Sequence, residues 1–246
     1  MVALLVIAAS GGSIPSSSVP SHMLAAFPRV TLWAWESRQD LRQISTEKYA
    51  IAYLDRTIFI TNRMATVPRM QPLLTPQNAK IMAVVRIEAP RALAKLDNPQ
   101  LVAMVADQIV EASRKRHVSA LQIDFDATRS QRPFYRNLIE ETRRRMPPSM
   151  PLSITALASW CSQPGWLKGL PVDEAVPMLF RMGGDTRFRK NSSWSYQAGE
   201  GSCRTSVGVS TDEPWPRIDP EQRIYVFHPG AWNPVALENL EKLITP

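Results

Sequence analysis

Residues 120–128 read ALQIDFDAT, and the order of polar and apolar positions in that run sets the reading of the whole chain. Side chains of a strand alternate between its two faces, so Gln122, Asp124 and Asp126 share one face, and Leu121, Ile123 and Phe125 the other. Two carboxylates side by side on a buried strand are costly unless they are paired, hydrogen-bonded or partly protonated. Such a strand is expected where a site uses the acids, or where an internal ion-pair network holds them.

Seven more segments share the length and the Val, Ile, Thr and aromatic content of a strand: 29–36, 49–60, 80–88, 151–160, 174–182, 205–211 and 223–229. Several are nearly continuous apolar runs, as strands buried on both faces should be. Helical patterns lie between them. Asn98-Pro99 supplies an N-cap and a first-turn proline for QLVAMVADQIVEASRKR, Ser130 can cap RPFYRNLIEETRRRM, and Asn233-Pro234 opens VALENLEKLI. Strands alternating with helices imply a parallel sheet, and eight strands imply closure into a compact (β/α)8 TIM-like barrel. Roughly 220 folded residues is near the lower limit for that barrel, so some outer helices should be reduced. The connections after the second, fifth, sixth and seventh strands, which are short, proline-rich or loop-like, are where this is expected. An open doubly wound sheet is the alternative, but no glycine-rich phosphate turn follows the first strand.

The 246 residues, 44% hydrophobic and 21% charged, make an ordinary globular composition. No apolar run approaches a bilayer span, so no transmembrane segment is expected. The net charge of +7 comes from scattered arginines, and the densest cluster, Arg143–Arg145, falls at a helix end, where cations suit the dipole. Nucleic acid is not an expected partner, since no binding motif accompanies the charge. The N-terminal MVALLVIAAS has the length of a signal-peptide core, with Ala8-Ala9-Ser10 as a cleavage site, though no basic residues precede it. Residues 1–25 are therefore set aside as a signal-like or disordered tail, and 26–246 are read as one barrel domain, exported if the run is a signal and cytoplasmic if it is not. Cys161 and Cys203 are either a pair or two unrelated thiols; their spacing does not decide which. The histidines (22, 117 and 228) have no metal-ligand spacing, so neither a metal nor a cofactor is expected.

In such barrels the chemistry lies at the C-terminal ends of the strands. Those ends carry Trp35 and Glu36, Arg86 and Glu88, Asp124 and Asp126, Trp160, Arg181, Asp212 and Glu213, and His228 with Trp232. Acids with tryptophans on one rim suit a carbohydrate: carboxylates exchange protons with the glycosidic oxygen, and indole faces stack on sugar rings. Asp126, Asp124 and Glu88 are the candidate catalytic acids. Glu36, Trp35, Arg86, Trp160, Arg181, Glu213, His228 and Trp232 are candidates for holding a carbohydrate or other small polar ligand. Gln122 reads as a satisfied interior polar group and Trp33 as core. Arg86 and Arg181 are expected to pair with the aspartates, and His228 is as well suited to be a hydrogen-bonding spacer as a ligand contact.

The run at Asp124 resembles the chitinase-type glycoside hydrolases, whose fourth strand ends in Asp-Gly-x-Asp-x-Asp-x-Glu with the last Glu as the acid. Matching on Asp124 and Asp126 places Leu121 at the first Asp, Gln122 at the Gly and Thr128 at the catalytic Glu, so that acid is absent. A closer resemblance rests on LQIDFDATRSQRPFYRNLIEETRRRMPPSMPLSITALASWC, LPVDEAVPMLFRMG, SVGVSTDEPWP and YVFHPGAW. By these the chain is similar to bacterial domain-of-unknown-function family 3142. That resemblance implies an exported bacterial protein related in shape to barrel glycosidases, and brings no catalytic residues with it.

Three functions follow. The first is a glycoside hydrolase-like enzyme in which Asp126 is nucleophile, base or orienting group, Asp124 beside Arg86 tunes it, and Glu88 or Glu213 donates the proton. Aspartates at i and i+2 are about 6.5–7 Å apart at the backbone, which does not suit a retaining pair, so a partner from another strand is needed. The second is a non-catalytic carbohydrate-binding or cell-envelope protein, with Thr128 in place of the acid and Trp35, Trp160 and Trp232 stacking on sugar. The third is a barrel with a different small-molecule substrate. A raised-pKa carboxylate on the rim favours the enzyme; a rim with every acid locked to an arginine favours binding. The segment 183–202, GGDTRFRKNSSWSYQAGEGS, is either a cover for the rim or a loop without a role.

Overall fold

The structure is a computed structural model that describes residues 24–91, 98–162, 165–182 and 201–244. Eleven strands form in chain order: β1 (Val30–Ala34), β2 (Gln39–Asp40), β3 (Tyr49–Ile60), β4 (Met64–Pro68), β5 (Leu73–Leu74), β6 (Ile81–Glu88), β7 (Ala120–Asp124), β8 (Leu152–Leu157), β9 (Glu174–Met178), β10 (Ser206–Ser210) and β11 (Arg223–Phe227). Eight of them, β1, β3 and β6 to β11, pair in parallel in the circular order β1-β11-β10-β9-β8-β7-β6-β3. The ring closes because β1 pairs with both β11 (Val30 opposite Ile224) and β3 (Val30 opposite Tyr49). The chain is thus a compact closed eight-stranded parallel barrel of TIM type.

Helix α1 (Pro99–Ser113) follows β6, with Asn98 Oδ1 accepting from Gln100 N–H at 2.9 Å and proline in the first turn. Helix α2 (Arg132–Arg145) follows β7. Its start differs from the expected Ser130 cap: a 3-10 turn intervenes, and Gln131 Oε1 accepts the Thr128 N–H at 2.9 Å. After β8 there is only the one-turn α3 (Ala158–Ser162), and α4 (Pro234–Ile244) follows β11, with Asn233 Oδ1 accepting from Ala236 N–H. Among the described residues no helix fills the β1–β3 or β3–β6 connection; a two-residue pair (β2 with β5) and the antiparallel β4 stand there instead. No helix among the described residues is long and apolar enough to cross a membrane.

Two apolar layers result. Outward-facing strand residues such as Leu121 and Ile123 pack with the helix residues Phe134, Leu138 and Ile139 between sheet and helices. The barrel interior holds Trp33, Tyr225 and Met82, with room left by Ala50, Ala52 and Ala120, and Leu24 and Phe27 packed among them. Leu24, which the sequence assigns to the tail, is fully buried, so packed structure begins at least there; residues 1–23, with His22 and the signal-like run, lie outside the described residues. Gly208 of β10 allows the tight filling: a Cβ there would stand 3.1 Å from both Met178 and Trp33.

The long β3 contains a bulge. Its register against β6 skips between Leu54 and Arg56, so Asp55 is the extra residue. Below the bulge Ala50 and Ala52 face the interior; above it the phase is reversed, and Thr57 and Phe59, rather than Arg56 and Ile58, face the axis. The buried Asp55 carboxylate accepts from Tyr53 Oη at 2.9 Å and Arg56 Nε at 2.8 Å and pairs with Lys115.

Cys161 and Cys203 form a disulfide, which resolves the alternative left by the sequence. It ties α3 to the turn before β10 across a separation of 42 residues.

Candidate functional site

A cavity of about 840 Å³ opens at the C-terminal ends of the barrel strands, within the size range of small-molecule sites. Trp33, Val84, Gln122 and Met178 belong to its lower lining, and Gln122 is bonded at both ends of its amide there, accepting from Trp33 Nε1 at 2.9 Å and donating to Ser153 Oγ at 3.0 Å. The alternation read from ALQIDFDAT carries through: Gln122, Asp124 and Asp126 all line the cavity, while Leu121, Ile123 and Phe125 pack outward.

The two aspartates differ in their surroundings. Asp124 ends β7, is almost buried, and has both oxygens engaged: Oδ1 accepts from Thr155 Oγ1 at 2.7 Å and Oδ2 from Arg86 at 3.0 Å. Asp126 lies just beyond the strand, at the centre of a tight turn closed by the Ala127 N–H on the Phe125 carbonyl at 2.8 Å. That turn delivers its carboxyl to open space in the cavity, where it makes no hydrogen bond or ion pair among the described residues. Asp126 is exposed within the cavity, and partial desolvation of its carboxyl by the surrounding walls, followed by the neighbouring Asp124 charge, raises its pKa above the ordinary aspartate value; Arg86 and Arg91 oppose the shift.

The remaining acids have partners. Glu88, at the end of β6, accepts from Arg86 Nε at 2.9 Å, so one guanidinium bridges Glu88 and Asp124. Glu36 accepts from the Met70 and Gln71 N–H groups, both at 3.0 Å, and so fixes the loop after β4 against the end of β1. Arg69 assists by donating to the Ala34 and Trp35 carbonyls. Arg181 lines the cavity but pairs with Asp212 and Glu213, each at 2.7 Å, and not with the aspartates of the β7 end. The Arg181 bond, then that of Ser210, holds Asp212 below the usual aspartate range.

The tryptophans expected on the rim divide. Trp35 lines the cavity, half-buried, with the Arg86 guanidinium 5.6 Å from its ring centre. Trp160 does not: β8 ends at Leu157, the chain turns into α3, and the indole is 2% exposed, packed on Tyr135 and edge-on to Trp166 at 5.3 Å. Trp232 is also 2% exposed, donating Nε1–H to the Trp33 carbonyl at 2.9 Å. Neither offers a face to a ligand. His228 stands outside the cavity lining, with Nδ1 on Thr211 Oγ1 at 2.7 Å and its ring 5.0 Å from Trp232; burial lowers its pKa. Thr128, at the position of the missing acid, serves the turn that opens α2, 3.1 Å from Ser130 Oγ, and does not line the cavity. Of the segment 183–202, only 201 and 202 are among the described residues.

Several lining residues were not singled out from the sequence. Thr57 and Phe59 arrive through the bulge, Val67 and Met70 through the β3–β4 hairpin and its following loop, and Phe180 and Phe227 from just past or at the ends of β9 and β11. The one available signal was Asp55, a charged residue inside an otherwise apolar twelve-residue strand. Among the described residues no group of three or more His, Cys, Asp or Glu is placed to hold a metal ion.

Comparison with known proteins adds the following. No curated protein matches the chain. Among solved structures, the chitinase domain of the spore coat protein CotE from Clostridium difficile is similar at 11% identity and a TM-score of 0.39; the match covers 61% of this chain and 49% of that one, about half its length. Residues 77–178, from just before β6 to the end of β9, match the model of DUF3142, a domain of unknown function. The matched segment includes Arg86, Glu88, Asp124 and Asp126.

Proposed function

We propose that the cavity is the active site of a glycoside hydrolase-like enzyme in which Asp126 is the general acid. The observation that carries this reading is the contrast at the β7 end: among the described residues every other acid lining the cavity accepts hydrogen bonds from arginine or backbone donors, whereas Asp126 has none and has a raised pKa. A carboxyl kept protonated closer to neutral pH is suited to donate a proton to a departing glycosidic oxygen. The proton-donor role considered for Glu88 or Glu213 thus passes to Asp126, because the other two already bind guanidinium groups.

Glu88 has a different part in this scheme. It extends from the strand next to β7, two residues beyond the Arg86–Asp124 register pair, and its ion pair with Arg86 keeps it oriented as the base for an attacking water. Asp124, positioned by Arg86 and Thr155, contributes the negative charge that helps hold the proton on Asp126. Acid and base then come from different strand ends, because Asp124 has both oxygens engaged, and a base that activates water makes the reaction an inverting one. The binding-only reading is less well supported, since two of the three tryptophans it relies on are enclosed. The Cys161–Cys203 disulfide supports placing the protein in an oxidising compartment, outside the cell or in its envelope.

Product release from a panel of polysaccharides and simple glycosides, read by mass spectrometry for the protein and for Asp126→Asn, tests the reading. New sugars from the unaltered protein alone are expected. Retention of a glycan by both proteins, with no products from either, would favour the binding function.

A further inference from the structure

The cavity is divided by chemistry around the barrel. Arg86, Glu88, Asp124, Asp126 and Thr155 come from β6, the β7 end and β8, three consecutive strands. The arc on the other side, from β9 through β11 to β1, presents Met178, Phe180, Met182, Phe227 and Trp35. Its two charged members, Arg181 and Glu36, are already bonded to protein groups. Phe180 stacks on Phe227 with ring centres 5.4 Å apart and planes 10° from parallel, and Phe227 meets Trp35 edge-on at 6.4 Å, so the rings form one wall.

That wall continues to the mouth through Phe59, Val67 and Met70. Seven large apolar side chains are exposed among the described residues, and three of them, Val67 (46%), Met70 (74%) and Leu157 (37%), line this cavity. Single exposed apolar residues need no explanation, but a group of them at a cavity mouth marks a ligand surface. The ligand they suit is not a bare sugar. Among the described residues Trp35 is the only cavity indole with appreciable exposure and Arg86 lies over it; the apolar remainder of the arc is Phe, Met, Val and Leu. Thioethers and phenyl rings accommodate an alkyl or aryl group, whose burial gains hydrophobic free energy that a hydroxyl-rich ring does not.

We propose that the site takes an amphiphilic glycoside, with its sugar against Asp126 on the β6–β8 side and an alkyl or aryl aglycone along the Phe180–Phe227–Trp35 wall toward Met70. The inference rests on the glycoside reading of the cavity, and it assigns the substrate class.

The test uses matched methyl and octyl glycosides of glucose, galactose and N-acetylglucosamine, kept below micelle-forming concentrations. Binding to the full-length Asp126→Asn protein is followed by tryptophan fluorescence and calorimetry, and cleavage by the unaltered protein is followed in parallel. For at least one sugar, the octyl glycoside should bind about tenfold or more tightly than its methyl partner. The double variant Val67→Ser/Met70→Ser, altered only at exposed side chains, should reduce that ratio. Equal affinity for octyl and methyl partners overturns the inference, as does failure to bind any octyl glycoside or a ratio unchanged by the double variant. Cleavage of methyl glycosides or plain oligosaccharides with no octyl preference overturns it while leaving the hydrolase reading intact. Preferential octyl binding with no cleavage of any glycoside supports the apolar wall and removes the hydrolase reading.

Discussion

Asp124 and Asp126 stand two residues apart at one strand end, and among the described residues Asp124 commits both oxygens to Arg86 and Thr155 while Asp126 commits neither. Similar residues in nearly the same place thereby acquire different roles. One is a fixed negative charge, and the other is an acid that feels that charge.

The pairing gives opposite shifts for two substitutions. Asp124→Asn removes a charge that raises the Asp126 pKa and should lower it; Arg86→Met removes a charge that lowers it and should raise it. Arg86→Met also leaves the nearly buried Asp124 without its cation and should cost about 2–3 kcal/mol of stability. Carboxyl-carbon NMR titration of labelled aspartate in each protein, with denaturant unfolding of Arg86→Met, reads both effects. Shifts of the same sign in the two variants would contradict this electrostatic account.

Asp126 should also leave a mark on the pH dependence of folding. Because its pKa is raised on folding, its contribution favours the folded state fully below the unfolded value, near 3.9, and is lost as pH rises through the folded value. Above that range the ionised group, partly desolvated and repelled by Asp124, opposes folding. Asp126→Asn should therefore raise the Tm slightly at pH 7, an effect kept small by solvent screening of this exposed carboxyl, with the advantage disappearing below about pH 3.9. Calorimetry at both pH values checks this, and a lower Tm at pH 7 would contradict it.

The disulfide closes a 42-residue separation that joins α3 to the start of β10. The double substitution Cys161→Ser/Cys203→Ser should lower stability by about 2–4 kcal/mol. The unaltered protein in reductant should unfold at the same denaturant concentration as the variant. Identical midpoints with and without reductant would show that the bond contributes nothing.

Two tryptophans separate core from cavity. Trp160→Ala leaves a void beside Tyr135 and Trp166 and should cost about 3–5 kcal/mol, whereas Trp35→Ala, at the half-buried wall, should cost less and weaken glycoside binding more. Unfolding midpoints set beside binding constants distinguish them. A Trp35→Ala protein with unaltered binding would remove that residue from the site.

What could be read from the sequence, and what could not, follows from the reach of local patterns. Strict alternation in ALQIDFDAT placed Gln122, Asp124 and Asp126 in the cavity because β7 runs without interruption up to Asp124. The same rule fails along β3, where the extra residue at Asp55 reverses the phase and brings Thr57 and Phe59 to the axis. Trp160 was read as rim because an apolar run continues through it; the chain had already turned helical at Ala158, where the period changes from 2 to 3.6. Trp232 looked exposed for want of a visible partner, and its partner, the Trp33 carbonyl, is 199 residues away. Partners that distant leave no local trace.

The most direct test of Asp126 as the proton donor compares leaving groups. For an octyl glycoside the departing alkoxide needs a proton, while for a 2,4-dinitrophenyl glycoside it does not. Asp126→Asn should lose roughly 10²–10⁴-fold in rate on the first and stay within about tenfold of the unaltered protein on the second. Equal losses on both substrates, or full activity on the octyl glycoside, would contradict the assignment.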